Sequence, residues 1–575
     1  MTRSAEPFVR ELARVRGLTR DFAAAHPQSA AALATDAEDP DIDRLLAGFA
    51  FLCAELRAEI DGAAGSFAAR LLESLGPQWL RPLPAATVVE LRPDLRVLRS
   101  RQPIPRGKEL RARAIDGAAA RFTTAADVHL DPLAIAGVEL QRRGPERATL
   151  SVTLQANEAG AAQVAALDQL RLFVHDRDPT IAARLRSALT RHCVAIRATD
   201  GDAERPAIPA TITSPFAALE PRILPWPEAT PPALRVLVEG LAYPEFAGFV
   251  DVEGIRELRL EGPRFTLHFE LRGGDGRPSL PPLPARLSTD TIRLHCAPAI
   301  NLFHATAEPF DYVPGDRPRL LRADGVPARH MEVFAVTAVT VDGRAAAPRI
   351  CGVLPPDDDR PTFALDRAVA SDGGHDVRLA LDDAAAARCD AAPAVVSTRL
   401  LCTNRHLAAQ LELGALGHGP RHLLLASATN ITAIVAARRP ALDVDHAWAL
   451  VDQLGCSRRA LGSIAALRDL LRQCAPPRAA ATTPGLLELD VDEALVELRQ
   501  RRAYAPGAGA SIPAIETTLT LERSALACEA EAELIGELLA PLFAEAAGFE
   551  ATSLLTIQLN PTGERRHWPR SWSPR

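Results

Sequence analysis

The stretch DPDIDRLLAGFAFLCAELRAEID, residues 39–61, decides how the fold begins. Its apolar residues recur at helical spacing from Ile42 to Ile60, which is typical of an amphipathic helix. Residues 39–41, Asp-Pro-Asp, supply a helix start with capping carboxylates and a proline that the first turn tolerates. We therefore predict a helix over this stretch.

Two more helices are predicted beside it. An apolar stripe from Phe8 to Phe22 is broken at residues 26–27, His-Pro. A third, short helix is predicted from Ser66 to Leu75, because Gly76-Pro77 is a stop signal. The first part of the chain is thus predicted to be helical.

The sequence pattern changes after Pro84. Short runs that alternate between apolar and polar residues, separated by turns that contain proline or glycine, predict β-strands there. The clearest runs are Thr87–Leu91, Thr149–Leu154, Leu170–Val174 and Phe265–Leu271. The clearest internal helix is predicted around Thr180–Thr190, and the proline clusters at residues 221–232 and 278–284 are predicted to be extended connectors.

Strands and helices alternate in the last part of the chain. Strands are predicted at 333–341, 395–402, 515–521 and 554–559, and helices near 445–454, 464–474 and 534–543. The uncharged residues 423–437 are predicted to form a buried strand and turn. The fold class is α+β, with a helical region at 1–85, β-rich domains at 86–300 and a mixed α+β region at 301–575.

Composition excludes several classes of protein. Of 575 residues, 47% are hydrophobic and 24% charged, and the net charge of -7 gives no general attraction to nucleic acid or anionic lipid. The longest uncharged stretch falls short of the ~20 residues that cross a bilayer, and the N-terminus has no apolar signal segment. Nine cysteines without a CxxC spacing favour reduced thiols in a cytosol.

No motif for catalysis, a cofactor or a metal is present. The only lysine, Lys108, precedes glutamate, so a P-loop is excluded, and GxGxxG, GxSxG and HExxH are all missing. His192-Cys193 and His295-Cys296 are adjacent pairs, whose side chains point to opposite faces of a strand and cannot share one metal.

Three charged runs admit a binding role. Asp357–Asp359 offers oxygen ligands for a divalent cation, but a solvated loop is favoured. Arg438-Arg439 and Arg501-Arg502 offer phosphate contacts, but exposed surface or interface pairs are favoured in so arginine-rich a chain.

The strongest family signal lies in the helix quoted first. Arg44-Leu45-Leu46 and Gly48-Phe49-Ala50-Phe51-Leu52, followed by residues 67–73 and by 77–84, PQWLRPLP with Trp79, resemble the hallmark of the TssF (VasA/ImpG) family of type VI secretion proteins.

Further blocks match the same family in the same order. Pro244-Glu245-Phe246 resembles its Pro-Glu-Lys-Phe block without the lysine. Asn301-Leu302-Phe303 resembles its Val-Asn-Leu-Phe segment, and residues 402–405, with Asn404-Arg405, resemble its Cys-Thr-Asn-Arg turn. All these positions are candidate interface or family-motif residues.

The resemblance implies a structural subunit of the type VI secretion baseplate wedge, with no catalytic residue and no cofactor. Its implied partners are TssG, a second TssF copy, TssK, TssE and the VgrG spike, with the sheath as a further contact, but neither nucleic acid nor the membrane interior. Such wedges form the cytoplasmic platform, docked at the inner-membrane complex, on which the Hcp tube and contractile sheath assemble.

Alternatives remain at this level. Phe51 and Leu52 lie about 200° and 300° around the helix from Phe49, so the three cannot all face one partner layer. We therefore predict a helix buried on two sides, either wholly within its own domain or with one side docked on a TssG or second TssF helix. A hydrolase of unrecognised type and a stand-alone β-rich binding protein are the rival functions.

Overall fold

The structure is a computed structural model. It describes residues 5–26, 40–115, 117–157, 160, 164–218, 222–274, 278–349, 360–382, 393–417, 425–443, 446–451, 460–474, 487, 489–506, 511–548 and 551–568. The acidic run Asp357–Asp359 lies outside these residues, as do the ends of the helix predicted at 445–454, of which residues 446–451 are helical.

The α-helices with defined bounds are α1 (Ala5–Ala25), α2 (Pro40–Leu75), α3 (Pro179–Ser187), α4 (Pro232–Ala242), α5 (Ile464–Cys474), α6 (Val491–Ala494) and α7 (Glu531–Ala547). The helix α2 runs without a break for 36 residues, so the prediction of a separate helix from Ser66 is wrong. Gly62 and Gly65 cost about 1 kcal/mol each in a helix interior, which does not stop a helix that contains no proline between Pro40 and Pro77. Its end before Gly76-Pro77 is confirmed.

The strands are, in chain order, β1 (Ala86–Pro93), β2 (Gln102–Ile104), β3 (Glu109–Arg111), β4 (Arg121–Thr124), β5 (Val128–Leu130), β6 (Leu133–Arg142), β7 (Arg147–Ala156), β8 (Leu170–Val174), β9 (Cys193–Asp200), β10 (Ala203–Pro209), β11 (Thr211–Thr213), β12 (Phe249–Glu253), β13 (Arg264–Arg272), β14 (Ile292–Arg293), β15 (Cys296–Ile300), β16 (Phe303–Thr306), β17 (Phe310–Tyr312), β18 (Arg319–Leu320), β19 (Glu332–Val341), β20 (Arg344–Ala345), β21 (Ala347–Pro348), β22 (Thr362–Val369), β23 (His375–Leu381), β24 (Ala394–Thr403), β25 (Ala426–Asn430), β26 (Leu495–Pro506), β27 (Ser511–Glu522), β28 (Thr552–Asn560) and β29 (Arg565–His567).

These strands form six larger sheets and the ribbon β2-β5. Their strand orders are β25-β1-β15-β4-β3 in sheet A, β10-β9-β13-β7-β6 in sheet B, β11-β12-β8-β14 in sheet C, β16-β24-β19-β20 with β17 also on β24 in sheet D, β18-β23-β22-β21 in sheet E, and β26-β27-β28-β29 in sheet F. The fold class predicted from the sequence, α+β with a helical start and many sheets, is confirmed.

Sheet A pairs strands that are far apart in the sequence. Its strand β1 pairs with β15 on one side and with β25 on the other, so residues near 90, 298 and 428 lie side by side. The largest hydrophobic core contains residues of β1 together with residues of sheet B and of α7. The division at residues 85 and 300 stays a prediction.

The segment predicted to be an extended connector, residues 221–232, contains neither helix nor strand over its described residues 222–231, and α4 begins at its last residue, Pro232. Although this segment is rich in proline, Pro231 and Pro232 stand at the start of α4. The first residues of a helix need no N–H donor, so proline is tolerated there. The helix α4 then packs on α7, where a Cβ at Gly240 would lie 2.2 Å from a Leu538 methyl group.

Candidate protein-interaction site

One face of α2 carries a row of apolar side chains that stand open to solvent. Leu45, Phe49, Leu52 and Leu56 are 75%, 59%, 60% and 60% exposed. At about 100° per residue these four positions fall within about 60° of arc. We call this row the α2 stripe. Contiguous apolar surface of this kind marks interaction sites on soluble proteins.

The opposite face of α2 is covered by α1. Ala50 and Ala54, about 140° and 180° around the helix from Leu45, are buried. The Arg57 guanidinium donates to the Glu11 carboxylate at 3.2 Å, as expected of two antiparallel helices. The small alanines let α1 approach closely, and this leaves the stripe facing outward.

The prediction that this helix is buried on two sides is therefore wrong for the chain alone. Phe49, Phe51 and Leu52 are each at least half exposed, and Arg44 is exposed beside them. The alternative in which α2 is buried wholly within its own domain is wrong, because α1 covers only one face of the helix. The contacts of α2 with the rest of the chain lie toward its C-terminal end.

That other end of α2 is fixed to the body of the protein. Leu72 packs with Leu80 and Leu450 in a small core of its own. Glu73 accepts a hydrogen bond from the buried Arg367 guanidinium at 3.1 Å, and Arg367 also donates to two carbonyl oxygens of β19 at 3.1 and 3.0 Å. The helical hairpin is thus anchored at one end and apolar on its free face.

The Pro-Glu-Phe block lies inside the protein. Pro244 and Phe246 are buried and Glu245 is half-buried in a single 3-10 turn. The preceding Tyr243 hydroxyl donates to the Pro84 carbonyl oxygen at 2.8 Å. This bond joins the block to the end of the proline-rich motif, so both serve the packing of the chain.

The two asparagine-bearing blocks meet in space. Asn301 Nδ2 donates to Asn404 Oδ1 at 2.8 Å, and the Asn404 backbone N–H donates to Asn301 Oδ1 at 2.8 Å. Arg121 completes the arrangement, its backbone N–H donating to Asn404 Oδ1 at 2.7 Å and its carbonyl oxygen accepting from Asn301 Nδ2 at 2.7 Å. Leu302 and Phe303 are buried beside them. We call Arg121, Asn301 and Asn404 the asparagine junction; it joins sheets A and D.

Arg405 extends this junction with charge. Its φ of 57° turns the chain sharply, and its guanidinium donates to Asp372 at 2.6 Å and to Asp376 at 3.2 Å. The hydrogen bonds from Arg405 hold the pKa of Asp372 well below its usual range. The turn after β24 is thereby tied to the β22–β23 hairpin.

The most buried charge of the region is Glu332. Arg439 donates to both of its carboxylate oxygens, each at 2.8 Å, and the His375 backbone N–H donates to it at 2.6 Å. The prediction that Arg439 lies on an exposed surface is wrong, because its side chain is turned inward onto this carboxylate; its role as an interface pair stays a prediction.

Sequence reasoning missed Glu332 and Arg367 altogether. The available signal was a single charged residue inside an apolar strand, as in residues 330–336, HMEVFAV. A lone acid at such a position requires a buried partner. The partner, Arg439, is 107 residues away in the chain, and no local pattern identifies it.

The two histidine-cysteine pairs have structural surroundings. His295 Nε2 accepts from the Asp131 backbone N–H at 3.1 Å, and burial lowers the pKa of His295 to about 4. His192 Nδ1 lies 3.3 Å from the Arg272 carbonyl oxygen, and burial lowers its pKa as well. Burial raises the pKa of the Cys193 thiol to about 12.

Metal ligation and membrane spanning find no support in the described residues. None of the groupings of His, Cys, Asp and Glu there has three members placed to hold a metal ion. Among the helices of the same residues, none combines the length and the apolar character needed to cross a membrane.

Acid should destabilise the fold through His295 and His375. Burial lowers both pKa values to about 4, whereas an unfolded histidine has a pKa of about 6.5. Between those pH values the unfolded state binds more protons, so stability falls as pH falls. Each residue should remove about 1.5–2 kcal/mol between pH 7 and pH 5.

Urea unfolding at pH 7 and pH 5 measures this loss. The variant His295→Gln keeps an acceptor for Asp131 but cannot be protonated, so its loss between the two pH values should be smaller by about 1.5–2 kcal/mol. An equal loss in the variant and in the unaltered chain would contradict the assignment to His295.

Comparison with known proteins identifies the family. The chain matches the family model described as "Type VI secretion system, TssF" over residues 2–575. The chain belongs to the TssF family. A relative named type VI secretion system component TssF1, from Pseudomonas aeruginosa, is 29% identical over 320 residues. That match covers 52% of this chain and 51% of TssF1, so it spans about half the length of the relative.

Solved structures show the same fold as this TssF-family chain. A chain in a structure of the type VI secretion system TssK-TssF-TssG baseplate subcomplex aligns with a TM-score of 0.76 and 24% identity, covering 93% of this chain and 99% of the other. A chain in a structure of the baseplate complex from the type VI secretion system gives 0.62 and 22%, with full coverage of both chains.

The TssF motif positions fall into two groups in this structure. The exposed ones are Arg44, Leu45, Phe49, Phe51 and Leu52. The buried or half-buried ones are Trp79, Pro244, Glu245, Phe246, Asn301, Leu302, Phe303, Asn404 and Arg405. The second group holds the TssF fold together, and the first group is available for contact. The interface role of any of them stays a prediction.

Proposed function

We propose that this chain is a structural subunit of a type VI secretion baseplate wedge. Membership of the TssF family supports the proposal, as does the likeness of its fold to chains in structures of baseplate complexes. The role is to hold other subunits in position, and it needs no catalytic residue.

The observation that carries the proposal is the α2 stripe. Four large apolar side chains on one helical face need a partner that removes them from water, and burying each one is worth about 1.5–3 kcal/mol. A helix from another subunit fits this face, because an amphipathic helix docks with anchors at the same spacing. TssG or a second TssF copy supplies that helix in our proposal.

The wider set of partners follows from the family. One of the solved structures is a subcomplex of TssK, TssF and TssG, and we extend this partnership to the present chain. TssE, the VgrG spike and the sheath complete the proposed set of contacts. The assembled wedge would lie on the cytoplasmic side, docked at the inner-membrane complex, as a platform for the Hcp tube and sheath.

Co-purification with TssG tests the stripe. In the double variant Phe49→Asp, Leu52→Asp, two anchors are replaced by charges that cannot be buried, so the affinity should fall by at least about 30-fold, as for the loss of one interface hot spot. The measurement is the yield of TssG and TssK that co-purify with the tagged chain, followed by titration of the purified subunits.

Leu413→Asp is the matched control. Leu413 is as exposed as the stripe residues but lies far along the chain, in a loop, so its replacement should leave the yield unchanged. Circular dichroism should show that both variants remain folded. Full recovery of TssG with the folded double variant would contradict the proposal.

A further inference from the structure

Strand β26 forms the open edge of sheet F. It pairs with β27 on one side and lies at the end of the strand order. The helices α5 and α6 lie near its start, where Arg468 donates to the Leu495 carbonyl oxygen. Beyond that point, no described strand pairs with its outer side. We call residues 497–504 the open edge.

Other sheet edges in the described chain are blunted in recognisable ways. The edge strand β10 contains Pro206 and Pro209, which cannot donate to a neighbouring strand. The edge strands β3 and β29 have three residues each, and β6 has a bulge between Ile135 and Gly137. The strand β26 has twelve residues and no proline before its last position, and its one bulge lies at its start, between Leu495 and Glu497, outside the open edge. A long edge of this kind is a template for another strand.

The side chains of the open edge define the chemistry of that strand. Arg499 and Arg501 form ion pairs with Glu497 at 2.7 Å and Glu516 at 2.6 Å. Arg502 is exposed and makes no ion pair with any residue that the structure describes. Positive charge is therefore in excess along this edge, and an acidic segment complements it.

Tyr504 adds an aromatic anchor to the same edge. Its side chain is 77% exposed, the highest value among the large hydrophobic residues of the described chain. Tyrosine is enriched at protein interfaces because its ring buries a large area while its hydroxyl keeps a polar contact. The edge thus offers backbone bonding, charge and an apolar surface together.

A second copy of this chain does not fit the edge. If two copies of β26 paired in antiparallel fashion about a two-fold axis at residue 500, Arg499 of each would stand opposite Arg501 of the other, and an axis at residue 501 would place the two copies of Arg501 opposite each other. Like charges placed directly opposite each other destabilise a strand pair. The charge pattern therefore disfavours self-association and favours a different chain.

We propose that the open edge accepts an extended acidic segment of a partner protein as an added β-strand. Backbone hydrogen bonds would supply the affinity, and Arg499 and Arg501 on one face of the sheet, with Arg502 on the other face, would select glutamate or aspartate on the incoming strand. This contact is separate from the α2 stripe and from the proposed wedge role, so either can fail without the other.

Hydrogen–deuterium exchange of the full chain tests the proposal with defined peptides. The probe is a ten-residue peptide of alternating glutamate and valine, and the control peptide has lysine in place of glutamate. At saturation, the acidic peptide should slow exchange of the outward-pointing amides of residues 497–504 by at least about tenfold, because those amides become paired, whereas the alternate amides already bond to β27. The lysine peptide should have no effect.

A charge-swap variant sharpens the test. In Arg501→Glu, Arg502→Glu the preference should reverse, so that the lysine peptide slows exchange and the acidic one does not. These side chains are exposed, so the fold should survive, which unchanged exchange in α7 would verify. Equal effects of the two peptides, the absence of slowing by either, or slowing confined to another region would each overturn the proposal.

Discussion

Replacing Glu332 with alanine should lower the free energy of unfolding by about 3–5 kcal/mol, the cost of breaking a buried ion pair from one side. The change leaves the Arg439 guanidinium buried without its carboxylate, and it leaves the His375 backbone N–H without its acceptor. Urea unfolding of the variant and the unaltered chain at pH 7 measures the difference.

The double variant Glu332→Met, Arg439→Met separates charge from packing. Removing both charges together avoids the unpaired ion, so this variant should be more stable than Glu332→Ala by at least about 2 kcal/mol. If the two variants are equally unstable, the unpaired guanidinium is not the cause of the loss, and the interpretation of the pair is wrong.

Replacing Asn404 with alanine should cost about 3–5 kcal/mol as well. The Asn404 side chain accepts from the Arg121 backbone N–H and from Asn301 Nδ2, and it donates to the His330 carbonyl oxygen. Each buried donor left without a partner costs about 1–3 kcal/mol, and the truncated side chain also leaves a cavity. The midpoint of urea unfolding should fall accordingly.

Asn560→Ala is the control for this prediction. The Asn560 side-chain amide donates one hydrogen bond, to Glu522 at 2.7 Å, and this bond is exposed to solvent, unlike those of Asn404. Its loss should change stability by no more than about 0.5 kcal/mol. Comparable losses in the two variants would show that burial of the asparagine junction is not what makes Asn404 important.

Local patterns in the sequence predict local structure well. The strand Leu170–Val174 and the helix Ile464–Cys474 have the predicted bounds, because each element is defined by its own apolar periodicity. The prediction of a separate helix from Ser66 is wrong because α2 runs unbroken from Pro40 to Leu75, and Gly62 and Gly65 within it lower its helix propensity without ending it. Propensity is a weak guide where tertiary packing decides.

Contacts between residues far apart in the chain could not be predicted from local sequence patterns. Asn301 and Asn404 are both family-motif positions, but their direct contact depends on two strands that pair across about one hundred residues. Likewise, the periodicity of α2 shows that it is apolar on more than one side, but not which side its own chain covers. That depends on where α1 docks.

The return of β25 to sheet A has a consequence for synthesis in the cell. β1 ends at residue 93 and its neighbour β25 ends at residue 430, so 337 residues must be added before this edge of β1 is paired. At about 5–20 residues per second, the ribosome needs roughly 20–70 s for that distance. Throughout this interval, the nascent chain carries an apolar strand with at least one edge unpaired, and both edges are unpaired until β15 is made. Production of the folded protein should therefore benefit from a chaperone that binds the nascent chain.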